Sequence, residues 1–170
     1  MGVTIHFDGQ LLGEDAFASL IGTAAAFAAS RTWLSEPIKS EQATLLRVRD
    51  NEEEWNYCGP MKGIVLYPSE DCEPVRLEFD RDLYVQEYTK TQFAGVDMHL
   101  KVVELLRVLK PFFRALRVQD EGEYWETGDV RILTEHMDTI HHVIESELKK
   151  NPRARAKLKT PDGRIVDLMT

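Results

Sequence analysis

The sequence lacks the features that mark exported, membrane-spanning or disulfide-bonded proteins. It has only two cysteines, Cys58 and Cys72, among 170 residues, and a chain of this length buries enough surface to fold without a disulfide. No apolar run approaches the ~20 residues that a membrane-spanning helix needs. The start of the chain, MGVTIHFDGQ, has neither the basic nor the apolar segment of a secretory signal. We therefore expect a cytoplasmic protein with reduced thiols and no membrane partner.

The known catalytic and metal-binding motifs are also missing. The sequence contains no Gly-rich phosphate loop, nucleophile elbow, HExxH pair or paired CxxC. His136, His141 and His142 lie in one predicted helix, but at 100° per residue their directions differ by about 100° to 140°, so one ion cannot bind all three. The sequence therefore predicts no metal and no cofactor, and it weighs against an enzyme without excluding one.

Positive charge is scarce, and it is unevenly placed. The chain has 21 Lys and Arg against 29 Asp and Glu, a net charge of -8, which disfavours nucleic acid as a partner. Residues 1–148 carry 14 basic and 27 acidic side chains, whereas residues 149–170 carry 7 basic and 2 acidic ones. The basic end is a distinct electrostatic segment, and we expect it to dock on the acidic body of its own chain or of a neighbour.

The pattern of apolar residues predicts one α+β domain over residues 1–170, since a hydrophobic content of 43% supplies a single core. Alternation predicts strands near residues 3–7, 44–48, 63–67, 75–79, 83–88 and 116–118. Helical spacing predicts helices over residues 14–30, 96–110 and 130–150. A Thr-Pro-Asp-Gly turn predicts a β-hairpin within residues 149–170. We expect one antiparallel sheet of five or more strands, covered mainly on one face by three helices.

The most unusual segment is DEGEYWETGD, residues 120–129, which combines five acids, a tyrosine and a tryptophan without a single base. Acidic side chains steer a basic partner towards a surface, and Tyr and Trp supply rigid contact area. We therefore predict a binding surface that comprises Asp120, Glu121, Glu123, Tyr124, Trp125 and Glu126. The alternative is structural: Trp125 anchors the loop in the core, Asp129 caps the next helix, and the other acids are solvated.

A second candidate site contains Lys90 and His99, around the start of the second predicted helix. A helix N-terminus can hold an anion, and a Lys beside a His can serve acid–base chemistry. Two further acids, Glu78 and Asp80 in the segment LEFDRD, are each close to an arginine. Surface ion pairs account for these two acids more simply than catalysis does.

Three functions follow as hypotheses. The first is a non-enzymatic interaction module that neutralises or adapts a basic protein partner, for example an immunity protein that is the antidote to a toxin domain. The second is an enzyme or small-ligand binder whose site contains Lys90, His99 and acids of residues 120–126. The third is a structural unit of a homo-oligomer, in which the basic end of one copy docks on another. A deep polar pocket would favour the second hypothesis, and a flat acidic patch the first.

Overall fold

In a computed structural model, which describes residues 2–170, the chain folds into eight β-strands and four α-helices. The strands are β1 (Thr4–Leu11), β2 (Leu34–Val48), β3 (Glu54–Tyr67), β4 (Val75–Phe79), β5 (Tyr84–Lys90), β6 (Phe113–Asp120), β7 (Arg155–Lys159) and β8 (Ile165–Met169). The helices are α1 (Glu14–Ser30), α2 (Val96–Leu109), α3 (Tyr124–Thr127) and α4 (Val130–Lys150), and a 3₁₀ turn, Lys110–Phe112, follows α2. Among these residues, no helix is both long and apolar enough to cross a membrane.

The strands form three separate antiparallel sheets, with the orders β5-β1-β6, β2-β3-β4 and β7-β8. The α+β class and the C-terminal hairpin are therefore confirmed, but the single sheet of five or more strands is wrong. A tight turn joins β4 to β5, where Asp80 N donates to Tyr84 O at 3.0 Å. Further along, Thr89 Oγ1 donates to Pro74 O and Lys90 N donates to the Glu73 carboxylate. Glu73 N also donates to Lys90 O at 3.1 Å, so hydrogen bonds join the β4 and β5 segments near their ends without a continuous ladder between the two sheets.

The three long helices have the predicted positions. Helix α1 buries Leu20, Ala24 and Phe27 in the main core, at the spacing of one helical face. Helix α2 stops at Leu109, as expected before a proline. Helix α4 begins after Asp129, whose carboxylate accepts the N–H of Arg131 at 2.9 Å, so the predicted N-cap is confirmed. The short helix α3 was not predicted.

Strands β2 and β3 form a long hairpin that bends at a β-bulge. The register steps from Ser40 opposite Met61 to Ala43 opposite Gly59, so β2 holds one extra residue there. We call the distal half of this hairpin, residues 43–59, the arm. The arm lies across the edge of β5, and this contact positions one wall of the cleft described below.

A buried arginine fixes the arm. The side chain of Arg47 is only 2% exposed, and its guanidinium donates to the carbonyl oxygens of Tyr84 and Gln86 on β5. The Asp80 carboxylate lies 3.7 Å from the same guanidinium. The expectation that Asp80 forms a surface ion pair with a neighbouring arginine is therefore wrong, because the turn buries it against β2. The ion pair between Arg76 and Glu78 does form, at 3.5 Å.

The basic C-terminal hairpin docks on the body of its own chain, through a carboxylate that is almost fully buried. Glu73 Oε1 accepts the N–H of Ile165 at 2.8 Å, and Glu73 Oε2 accepts Arg164 Nη1 at 3.3 Å. Lys90 Nζ donates to the carbonyl oxygen of Ile165 at 2.8 Å and lies 3.2 Å from the Asp167 carboxylate. The hairpin thus packs on the body of its own chain, with Arg164 paired to an acid of the body and Asp167 paired to a base of the body.

Candidate functional site

The acidic loop, residues 120–126, is held in shape by its first residue. Strand β6 ends with the side chain of Asp120 pointing into the protein, where it is 0% exposed. Its Oδ1 accepts the N–H of Gly122 at 2.7 Å, and its Oδ2 accepts the N–H of Trp125 at 2.9 Å and faces His99 Nε2 at 3.0 Å. One buried carboxylate therefore fixes the main chain over five residues of the loop.

The partner of this carboxylate, His99 on α2, is also fully buried. Its other ring nitrogen, Nδ1, lies 2.8 Å from Thr91 Oγ1. Burial raises the pKa of Asp120, but the hydrogen bond and charge of His99, with the N–H groups of Trp125 and Gly122, outweigh burial and leave that pKa below its usual value. The structure thus brings together two predicted site residues, His99 and Asp120, as a buried anchor that no substrate can reach in this conformation.

The exposed acids of the loop have partners that the sequence could not show. Glu121 Oε1 lies 3.4 Å from His6 Nε2, and Glu121 Oε2 accepts the N–H of Thr4 at 3.0 Å. Burial raises the pKa of Glu121, but His6 and Thr4 outweigh it and lower that pKa overall. Glu123 Oε2 lies 2.5 Å from His136 Nε2 on α4. Each acid therefore remains at the surface while a histidine from a distant element holds its position.

The aromatic residues of the loop are half-buried. Tyr124 and Trp125 pack against the main core, and the guanidinium of Arg107 lies 5.7 Å and 5.6 Å from their ring centroids. Glu126, which follows them on α3, is exposed, and its Oε1 accepts the N–H of Asp120 at 3.3 Å. The two rings thus anchor the loop to the core, and only part of each ring surface is accessible to a partner.

The remaining predicted site residue, Lys90, belongs to a different cluster. Its ammonium group is engaged by the C-terminal hairpin, through the Ile165 carbonyl and the Asp167 carboxylate. The structure therefore does not gather Lys90, His99 and the exposed acids of the loop around one accessible point. The predicted enzyme or ligand site around these three groups has no support in this geometry.

A cleft of about 880 Å³ is the concave site that the sequence did not reveal, and its size is that of small-ligand sites. One wall is the polar face of the β5-β1-β6 sheet, where His6 and Tyr88 are cross-strand neighbours. The opposite wall is the arm, which contributes Leu46 and Val48. Since His6 also contacts Glu121, the cleft adjoins the acidic loop.

Paired charges line the floor of the cleft. Arg164 Nη2 lies 2.7 Å from Glu87 Oε2, and the Arg164 guanidinium stacks 3.9 Å from the centroid of the Tyr88 ring. Burial raises the pKa of Glu87, and the nearby charge of Glu78 raises it further, while Arg164 opposes both. On this floor Arg164 therefore pairs with Glu87, and Arg76 pairs with Glu78.

Within residues 2–170, no group of three or more His, Cys, Asp or Glu side chains is arranged to hold a metal ion. Comparison of the chain with models of known families, with curated proteins and with solved structures finds no match. The function must therefore be argued from the geometry of the residues themselves.

Proposed function

We propose that this protein is a non-enzymatic interaction module that binds a basic protein partner through the acidic loop. One observation carries the proposal: the buried Asp120 carboxylate fixes the loop, while the carboxylates of Glu121, Glu123 and Glu126 remain at the surface. A loop that is already ordered loses less conformational entropy on binding. Clustered acids also accelerate and orient the approach of a basic partner.

Two further features support this proposal over catalysis. The pair His99–Asp120 is completely buried and supports the loop, so its role is structural. The chain has a net charge of -8, and 7 of its 21 basic residues lie in the C-terminal segment, residues 149–170, which is docked on the body of the same chain. Because Cys58 and Cys72 are both free thiols, we also propose that the protein works in the reducing cytoplasm.

The alternative hypotheses are affected differently. The homo-oligomer hypothesis is the less favoured one, because Arg164 and Asp167 of the hairpin already pair with Glu73 and Lys90 of the same chain. The cleft favours a second candidate function, the binding of a small ligand, since its volume of about 880 Å³ lies in the usual range. A ligand there would meet Tyr88, His6 and the arm, and none of the groups that the sequence suggested.

The experiment is affinity capture from native lysate at low salt with three forms of the protein. The loop variant carries Glu121→Lys with Glu123→Lys, and the matched control carries Asp138→Lys with Glu145→Lys, two exposed acids of α4. We expect wild type and control to retain a co-purifying basic protein that the loop variant loses. Equal capture by a loop variant with wild-type stability would show that the loop is not the recognition surface.

A further inference from the structure

The arm carries a strand edge that already binds a peptide-like amide. Strand β2 is the outer strand of its sheet, so one of its edges faces no neighbouring strand. At this edge, Val48 N donates to Gln86 Oε1 at 2.6 Å, and Gln86 Nε2 donates to Val48 O at 2.9 Å. An adjacent β-strand makes the same pair of hydrogen bonds with alternate residues. The side chain of Gln86 thus shows that this edge accepts an amide group.

The same edge continues into the cleft beyond Val48. The backbone N–H of Arg49 donates to Glu53 O at 2.9 Å and so points towards β3. The backbone N–H and C=O of the preceding residue, Val48, therefore point away from β3. Along an antiparallel strand, successive residues direct their backbone groups alternately towards the partner strand and away from it. Leu46 and Thr44 therefore direct their N–H and C=O groups away from β3, as Val48 does. Successive outward residues are about 7 Å apart along the strand. Both Leu46 and Thr44 line the cleft.

At Thr44 and Leu46 this part of β2 has less protection than the first half of the strand, although the Gln86 amide covers Val48. Prolines, charged side chains and bulges discourage pairing with another strand. The first half of β2 has Pro37, Lys39 and the bulge after Ser40. In the arm, by contrast, Leu46 and Val48 are 58% and 43% exposed and apolar. The less protected half of the edge is therefore the half that faces the cleft.

The charge of the cleft indicates which strand would fit. Its lining contains six carboxylates, those of Asp8, Asp50, Glu52, Glu78, Glu87 and Asp162. The lining also contains four arginines, and each of them lies within 3.5 Å of an acidic partner: Arg49, Arg76, Arg117 and Arg164. The surroundings of the edge therefore favour a basic occupant.

We propose that residues 44–48 of β2 are an acceptor edge for strand addition, occupied by an extended basic segment of the partner protein. The inference rests on the proposed function and specifies the form of the partner's contact. The incoming strand displaces the Gln86 amide from Val48 and pairs with Leu46 and Thr44. Main-chain hydrogen bonds supply affinity in this mode, and alternate side chains supply specificity.

The test uses two pools of nine-residue peptides whose alternate positions are Lys or Arg in one pool and Asp or Glu in the other. The positions between them are Val, Ile, Leu or Thr in both pools. At low salt we expect the basic pool to bind at least about tenfold more tightly, measured by fluorescence anisotropy. Binding should shift the backbone amide NMR signals of Leu46 and Thr44. No binding of the basic pool, or shifts confined to other residues, would overturn the proposal.

Two changes test the edge itself. Leu46→Pro removes an outward N–H without touching the β3 ladder, whereas Leu46→Ala keeps that N–H and serves as the control. We expect the proline variant to bind the basic pool about tenfold less tightly than the alanine variant, the effect of losing one hydrogen bond. Basic peptides that are N-methylated at alternate positions should lose binding similarly, and they require no change to the protein. Unaltered binding of the N-methylated peptides would refute strand pairing.

The peptide assay tests strand addition and the capture experiment tests the proposed function, so each proposal can be refuted without the other. If reversal of the loop charges abolishes capture but no peptide binds, the proposed function stands and strand addition is wrong. If peptides bind at Leu46 while the loop variant still captures its partner, the edge is a binding site and the loop is not.

Discussion

Replacing Asp120 with alanine removes the acceptor of three hydrogen bonds in one step. The donors are the N–H groups of Gly122 and Trp125 and Nε2 of His99, all within 3.0 Å of the carboxylate. Removing a buried carboxylate that accepts several hydrogen bonds costs about 3–5 kcal/mol, because the donors stay buried without a partner. We expect Asp120→Ala to lower the free energy of unfolding by that amount. For a chain of this length the melting temperature should fall by roughly 6 to 20 °C.

The matched variant Asp120→Asn keeps the shape of the side chain and removes its charge. We expect a smaller loss, about 1–3 kcal/mol, since the amide oxygen still accepts a hydrogen bond. Because the pKa of Asp120 is lowered in the folded protein, the stability that its ionisation contributes is complete above about pH 4 and is lost at lower pH. The stability difference between wild type and Asp120→Asn should therefore shrink as the pH falls below about 4.

Urea unfolding, followed by circular dichroism, measures these differences. Glu126→Ala is the control, because this exposed side chain makes a single 3.3 Å hydrogen bond to the loop, and its loss should cost under about 1 kcal/mol. If Asp120→Ala unfolds within about 0.5 kcal/mol of wild type, the buried carboxylate does not hold the acidic loop, and the reasoning behind the proposed function fails.

Three other predictions concern buried charges and thiols. Asp80→Ala should cost about 3–5 kcal/mol in urea unfolding because it leaves the buried guanidinium of Arg47 without its carboxylate, whereas the double variant Asp80→Ala with Arg47→Met should cost less than Asp80→Ala alone. Glu73→Ala should release the C-terminal hairpin, so that the amides of residues 155–169 exchange hydrogen faster than those of the core. A thiol reagent should label one cysteine per native chain, Cys58, and two after denaturation. Burial, aided by the charge of Glu73, raises the pKa of Cys72 to about 12.

Features encoded within one short segment were predictable from the sequence. Helix α1 could be placed because its acidic start and its apolar spacing both lie between residues 14 and 30. The full length of β2 could not, since the stretch around Pro37 and Lys39 is mostly polar and none of its side chains is fully buried. The separation of the sheets lies between β4 and β5, which are adjacent in sequence but not paired in one sheet, and no local pattern signals where a ladder between consecutive strands is interrupted.

The candidate site divides in the same way. Composition alone identified the acidic loop, but its partners His6, His99 and His136 lie 115, 21 and 13 residues away from the acids they contact. The cleft was invisible because its walls come from separate strands whose sequences are individually ordinary. The acceptor edge depends on the direction of the Val48 backbone, which only the register of β2 against β3 determines.

The docking of the C-terminal hairpin on Glu73 imposes an order on synthesis. The ribosome completes the body well before it releases Arg164 and Ile165, which supply two of the groups that satisfy the Glu73 carboxylate. Until then, burial of that charge would cost several kcal/mol, so this part of the body must stay open to water. A chain interrupted before Arg164 would keep this opening and expose it to proteases. The Glu73 carboxylate can therefore be buried at low cost only after Arg164 and Ile165 are present to contact it.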